Sequence, residues 1–71
     1  YLIDGSINLR ELNRDLNWNF PVDGPKTLSG FIIEYLEFIP HSPMCIKAAG
    51  FEIEIIKIQE NMVKIARIIR I

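Results

Sequence analysis

Residues 51–71 read FEIEIIKIQENMVKIARIIRI, and this C-terminal stretch decides the fold class. Its first five residues alternate between apolar and acidic side chains, which is the period of a half-buried β-strand. Ile56 interrupts the alternation, so we predict a β-bulge there. A polar break follows, in which Asn61 tolerates the left-handed conformation of a tight turn. The stretch therefore predicts a terminal hairpin whose second strand runs from Val63 to Ile71.

A helix is the competing interpretation of that second strand, because Lys64, Arg67 and Arg70 recur every three residues. Isoleucine and valine dominate the segment, however, and β-branched side chains favour strands over helices. We therefore favour the strand, with Ile65, Ile69 and Ile71 at even spacing from Val63 and on the same face. If this strand lies at a sheet edge, its free backbone groups would allow a homodimer.

A second helix is predicted upstream of the hairpin, where apolar residues recur every three or four positions. Thr27 is suited to cap its start, and Pro40 and Pro43 are expected to end it. Gly30 weakens a helix, so we expect another backbone to approach closely at that residue. The apolar positions are Leu28, Phe31, Ile32, Tyr35, Leu36 and Ile39.

The remaining elements are short. Residues 1–3 and 45–48 are β-prone and are followed by turn sequences, Asp4-Gly5 and Ala49-Gly50. Asn8 precedes Glu11 by three residues, which is the spacing of a capping box, and predicts a first helix. Leu9, Leu12 and Leu16 form its apolar stripe. The proline-containing segment 18–26 is expected to be a loop anchored by Trp18 and Phe20.

These elements predict an α+β fold in which two helices pack on one face of a small, mainly antiparallel four-stranded sheet, in the order β-α-α-β-β-β. Residues 1–71 are expected to form a single domain of a longer chain, since they begin directly on an apolar segment. The predicted core residues are Leu12, Leu16, Phe31, Tyr35, Leu36, Ile53, Ile55 and Ile65.

The composition disfavours several classes of function. Eight Lys and Arg against nine Asp and Glu give a net charge of −1, which offers no field to attract nucleic acid. No apolar run exceeds three residues, so we expect no direct insertion into a membrane. Fourteen isoleucines supply a core without a disulfide, because Cys45 is the single cysteine.

No catalytic, cofactor-binding or metal-binding residue is predicted, and we expect the chain not to be an enzyme. His41 and Cys45 have no partner at a spacing that suggests catalysis, and Cys45 is expected to pack in the core. Asp4, Asp15 and Asp23 would form a cation site only if they met in space, and separate surface roles explain them as well. Among the aromatic residues, Phe38 falls off the helical stripe and is the candidate for an exposed partner-binding position.

Several short motifs, in order, resemble the transporter-associated domain of CorC/HlyC proteins, with the CorB-like branch most similar. They are Asp4-Gly5-Ser6, Asn8 to Asn13, Asn17 to Pro21, Thr27 to Gly30, Ile39-Pro40, Phe51 to Ile55 and Gln59 to Lys64. The resemblance covers nearly the whole chain. Many members of the family have glycine where Glu37 and Pro43 stand here, so the turn after the second helix is expected to differ.

The resemblance implies a fold related to FAD-binding domains and a role as a C-terminal accessory domain that modulates magnesium and cobalt efflux. In that family the domain follows a transmembrane region and a pair of CBS domains, on the cytoplasmic side of a bacterial inner or plasma membrane. Some members carry the name hemolysin. The family supplies no catalytic residues and no cofactor, and we expect no bound flavin. The alternative is a module that senses a small molecule or binds another protein.

Overall fold

The predicted C-terminal hairpin forms the centre of a four-stranded antiparallel sheet in the computed structural model, which describes all residues 1–71. Both helices pack on one face of the sheet. Neither helix is long and apolar enough to cross a membrane. The elements are β1 (Leu2–Asp4), α1 (Leu9–Leu16), α2 (Leu28–Leu36), β2 (Cys45–Ala48), β3 (Phe51–Gln59) and β4 (Met62–Arg70). The strands lie in the order β1-β4-β3-β2 across the sheet.

The hairpin has the predicted turn and the predicted bulge. Glu60 and Asn61 both have positive φ, 55° and 63°, as a two-residue hairpin turn requires. The pairing of β3 with β4 shifts between Ile55 and Lys57, which confirms the bulge at Ile56. A second shift follows between Lys57 and Ile58, so the facing strand β4 is irregular at the same point.

This second irregularity makes one core prediction wrong. Val63 faces the helices, but Ala66 and Ile68, rather than Ile65 and Ile69, continue that buried face. Ile65 lies half-buried on the opposite side of the sheet, where it pairs with exposed Asp4. Residues at even spacing from Val63 no longer lie on the same face after the bulge, because the extra residue moves the following side chains to the opposite face of the strand.

The prediction that β4 could lie at a sheet edge is also wrong. β4 pairs with β3 on one side and with β1 on the other, so its backbone groups are already used within the chain. Self-association by strand addition to β4 is thereby excluded. The free edges belong to β1 and β2.

Helix α1 begins at the predicted cap. The Asn8 side-chain oxygen accepts a hydrogen bond of 2.8 Å from the Arg10 amide, one residue earlier than the capping box predicts. Leu9 and Leu12 are buried, and Asn13 bonds both backbone groups of Phe20 at 2.9 Å each. This pair of bonds fixes the loop after α1 and confirms that Phe20 anchors it.

Helix α2 begins as predicted but ends early. Thr27 caps its start by accepting a hydrogen bond from the Gly30 amide at 3.1 Å. A Cβ at Gly30 would meet the Thr27 hydroxyl at 3.2 Å, so the close neighbour is the capping side chain and not another backbone. Glu37 ends the helix in the left-handed conformation, with φ of 65°, three residues before Pro40.

The core combines one face of each helix with the inner face of the sheet. Of the predicted core residues, Leu12, Ile53 and Ile55 are fully buried, while Leu16, Phe31 and Leu36 pack against the core at its margin. Tyr35 was predicted wrongly, since it is 53% exposed at the end of α2. The buried Ser29 hydroxyl accepts a hydrogen bond of 3.0 Å from the Val63 amide and so ties α2 to β4.

Replacing Glu37 with glycine is expected to stabilise the domain by about 0.5 to 1 kcal/mol, because glycine adopts positive φ without the steric cost that Glu37 bears. Urea unfolding measures the change. The matched control is Asn17→Gly at the end of α1, where φ is 56° and asparagine already tolerates this conformation. An equal gain at both helix ends, or none at Glu37, would contradict the explanation.

Candidate functional site

The one depression on the surface lies where the loop after α1 meets the start of α1. Its volume is about 380 Å³, and it is open to solvent. Arg10, Lys26 and Asp23 supply its charges, and Leu9 and Val22 are its apolar residues. A small-molecule site usually encloses its ligand in an apolar cavity with a few convergent polar groups. This depression lacks such enclosure.

The three aspartates weighed as a cation site have separate local roles. Asp4 accepts hydrogen bonds from the Ser6 amide at 2.8 Å and the Ser6 hydroxyl at 2.7 Å. Asp15 lies 3.7 Å from the Arg14 side chain in an exposed ion pair, and Asp23 borders the depression. No group of three or more His, Cys, Asp or Glu side chains is placed to hold a metal ion.

The two hydrogen bonds from Ser6 lower the pKa of the Asp4 carboxyl below its ordinary value of 3.8, the backbone bond contributing most. Lys64 adds a smaller electrostatic contribution in the same direction. The negative charge of Asp4 therefore serves the turn that joins β1 to α1.

We expect the free energy of unfolding to decrease as the pH falls below about 4, and Asp4→Ala to remove part of this dependence. A carboxyl whose pKa is lower in the folded state stabilises the fold above its unfolded pKa, and this contribution disappears as the pH falls through the folded value. Urea unfolding across the acid range measures the effect. The control is Asp23→Ala, an exposed carboxylate without a hydrogen bond in the structure; an equal change in both variants would contradict the role of the turn.

Neither His41 nor Cys45 belongs to a reactive cluster. His41 is exposed in the segment between α2 and β2. Cys45 was predicted to pack in the core, and this is wrong, because its side chain is exposed on the face of the sheet opposite the helices. Its sulfur lies 4.0 Å from a Glu52 carboxylate oxygen, a negative charge that does not favour the reactive thiolate.

An exposed apolar surface lies at the end of α2 and includes Phe38, which was predicted to be exposed. Phe38 is 52% exposed, and Tyr35 and Ile39 join it as exposed side chains; we call these three residues the α2-end patch. The Tyr35 hydroxyl donates a hydrogen bond of 2.9 Å to the Lys47 carbonyl oxygen, which places Tyr35 beside β2. Trp18 and Phe20 are not part of the patch. Phe20 stacks on Phe51 in the core, and Trp18 packs against the same ring at the margin of the core.

Sequence reasoning missed Tyr35 because it assigned every apolar position of α2 to the buried face, whereas the structure buries Leu28 and Ile32 and leaves Tyr35 exposed. It missed Ile39 because it extended the helical stripe as far as Pro40, although α2 ends at Leu36. No local signal in the chain marks that end, because Glu37, rather than the usual glycine, adopts the left-handed conformation there.

The chain matches the family described as "Transporter associated domain" (CorC_HlyC) over residues 1–71. It is 40% identical over 63 residues to the UPF0053 inner membrane protein YfjD of Escherichia coli, which covers 89% of this chain. The chain spans only 15% of that relative's length.

Solved structures with the same fold are also known. A conserved protein of unknown function from Haemophilus influenzae is 37% identical with a TM-score of 0.93, covering 99% of this chain and 86% of that one. A transporter associated domain from a Xylella fastidiosa hemolysin, in complex with Mg²⁺ and Mn²⁺, is 30% identical with a TM-score of 0.81 and covers 99% and 85%. These crystallised chains are little longer than residues 1–71, which shows that a domain of this size folds on its own.

Proposed function

Because this chain belongs to the CorC and HlyC transporter associated domain family, we propose that it is a non-catalytic accessory domain that modulates ion transport. The transported ions would be divalent metals, magnesium and cobalt, and the domain would act from the cytoplasmic side of a bacterial membrane protein. The observation that carries the proposal is the family match over the full chain, together with a relative that is an inner membrane protein of much greater length.

The surface of the domain is consistent with modulation through protein contacts. It has no enclosed ligand cavity and no cluster of metal ligands. The three side chains of the α2-end patch are among its large exposed apolar side chains. A domain with these features acts most directly by contacting other parts of its protein. We propose a CBS pair and the transmembrane region as those parts.

The proposal is tested in cells that produce the full-length membrane protein with or without residues 1–71. We expect cells with the shortened protein still to export cobalt, but with a changed dependence of export on the cobalt concentration. Retained cobalt is measured after loading, and membrane abundance of both proteins is the control. Complete loss of export at normal abundance would place an essential step in this domain, and identical export would remove the modulating role.

The alternative, a small-molecule sensor, is favoured only by the depression lined by Arg10 and Lys26. A ligand that binds the native state raises the melting temperature. We expect nucleotides, flavins and divalent ions to leave the melting temperature of the isolated domain unchanged. A rise with an organic ligand that disappears in Arg10→Ala would favour the sensor.

A further inference from the structure

We propose that the free edge of β2 pairs with β2 of a second copy of this chain, antiparallel about a two-fold axis at Ile46. The sheet of one copy would then continue into the sheet of the other. This inference concerns assembly and does not depend on the proposed role in transport.

The hydrogen-bond pattern identifies the free groups of this edge. The Ile55 amide donates to the Met44 carbonyl oxygen at 2.7 Å, and bonded pairs alternate along an antiparallel ladder. The next bonded pair is Ile46 with Ile53, so Cys45 and Lys47 direct their N–H and C=O groups away from β3. Of these groups, only the Lys47 carbonyl has a partner, the Tyr35 hydroxyl, and a carbonyl oxygen can accept a second bond.

A single register satisfies these groups within the strand. With Ile46 at the axis, Cys45 of each copy lies opposite Lys47 of the other, and each pair exchanges two backbone hydrogen bonds. A shift in one direction sets Lys47 against Lys47 and brings Ala49, with φ of 54°, into the ladder. A shift in the other direction brings in Pro43, which has no N–H.

The charges on the outer face of the sheet complement one another in this register. Across one copy, Arg67 pairs with Glu54 at 2.7 Å, and Glu54 lies opposite Cys45. Lys47 of the second copy would lie next to Cys45 in the same row. Glu52 of the second copy, which pairs with that Lys47, would come next. Positive and negative side chains then alternate across the strands along this row.

The α2-end patch supplies apolar area next to this edge. A two-fold axis perpendicular to the sheet keeps the helices of both copies on the same face, so the two patches would approach each other across the axis. Phe38 and Tyr35 are each about half exposed in the single chain. Aromatic side chains are among the residues that contribute most to the binding energy of interfaces. Contact between the two patches would therefore stabilise a dimer in which the paired strands are only four residues long.

Sedimentation equilibrium of the isolated domain tests the assembly. We expect a concentration-dependent dimer in the wild type, and a monomer with a native circular dichroism spectrum in Lys47→Pro, which removes an edge N–H that β3 does not use. Phe38→Ser should weaken the dimer at least tenfold without touching the sheet. Ile69→Lys, on β4 and away from the edge, is the control that should leave the dimer intact.

Oxidative cross-linking tests the register. Residues in a bonded antiparallel pair have Cα atoms about 5.5 Å apart, within disulfide range, so Lys47→Cys should give a covalent dimer through native Cys45. Diagonal positions are about 7 to 8 Å apart, so the wild type and the double variant Cys45→Ser, Lys47→Cys should not cross-link. A monomer at every concentration, a dimer that survives Lys47→Pro, or cross-linking of the wild type would each overturn the proposal.

Discussion

Replacing Phe51 with alanine is expected to lower the free energy of unfolding by about 3 to 5 kcal/mol. Phe51 is 1% exposed and stacks on Phe20 with ring centroids 4.2 Å apart and ring planes 10° apart. The centroid of the nearby Trp18 ring lies 4.9 Å from the centroid of the Phe51 ring. The substitution would leave a cavity between the first residues of β3 and the loop after α1, where the surrounding aromatic rings cannot close the space.

Urea unfolding followed by tryptophan fluorescence measures this loss, since Trp18 reports directly on the affected cluster. Phe38→Ala is the matched control at protein concentrations where the chain is monomeric, because it removes the same ring from an exposed position, and surface substitutions usually change stability by less than about 0.5 kcal/mol. A loss below about 1 kcal/mol for Phe51→Ala would contradict the central place of this ring in the core.

Replacing Gly5 with alanine is expected to cost about 3 kcal/mol. A Cβ on Gly5 would lie 1.8 Å from the Val63 carbonyl oxygen and 2.8 Å from its carbon, so the backbone of β1 must move away from β4. That movement disrupts two hydrogen bonds of 2.8 Å, from the Gly5 amide to the Lys64 oxygen and from the Ser29 amide to the Gly5 oxygen. Both the pairing of β1 and the position of α2 would be affected.

The measurement is again urea unfolding. Hydrogen exchange of the Ile68 amide is a second measurement, because this amide donates to the Tyr1 carbonyl oxygen between β4 and the start of β1. Gly24→Ala is the control, because its nearest neighbour would be a flexible Glu34 oxygen at 3.9 Å. Should Gly5→Ala prove as stable as Gly24→Ala, the close approach of β1 and β4 would be refuted.

The reason for Gly5 shows what local sequence patterns could not supply. The sequence predicted glycine there for a turn, yet the structure requires it because another strand passes within contact distance. Which strands become neighbours depends on long-range pairing. For the same reason, the sequence predicted all four strands but did not place β4 between β1 and β3.

The sequence predicted correctly the features that depend on interactions between neighbouring residues. The caps at Asn8 and Thr27, the positive-φ turn at Asn61 and the bulge at Ile56 all depend on a few adjacent residues, and all four are confirmed. The predictions that Tyr35 and Cys45 are buried were wrong, since burial depends on which face of a helix or strand meets the rest of the fold.

The candidate surface was predicted only in part. Phe38 was found from the sequence because it lies off the apolar stripe of α2, which is a local property. The position of the end of α2 beside the β2 edge follows from the hydrogen bond between Tyr35 and Lys47, which are twelve residues apart. No sequence pattern indicates this long-range contact.

The most direct test of the proposed modulating role is the initial rate of magnesium efflux from vesicles that contain the full-length protein. Three forms would be compared at a series of internal magnesium concentrations: wild type, the form without residues 1–71, and the form carrying Phe51→Ala. We predict that both altered proteins still transport, and that the concentration dependence shifts in the same direction in both, because one lacks the domain and the other carries a destabilised one. Rates indistinguishable from the wild type at every concentration would contradict the account.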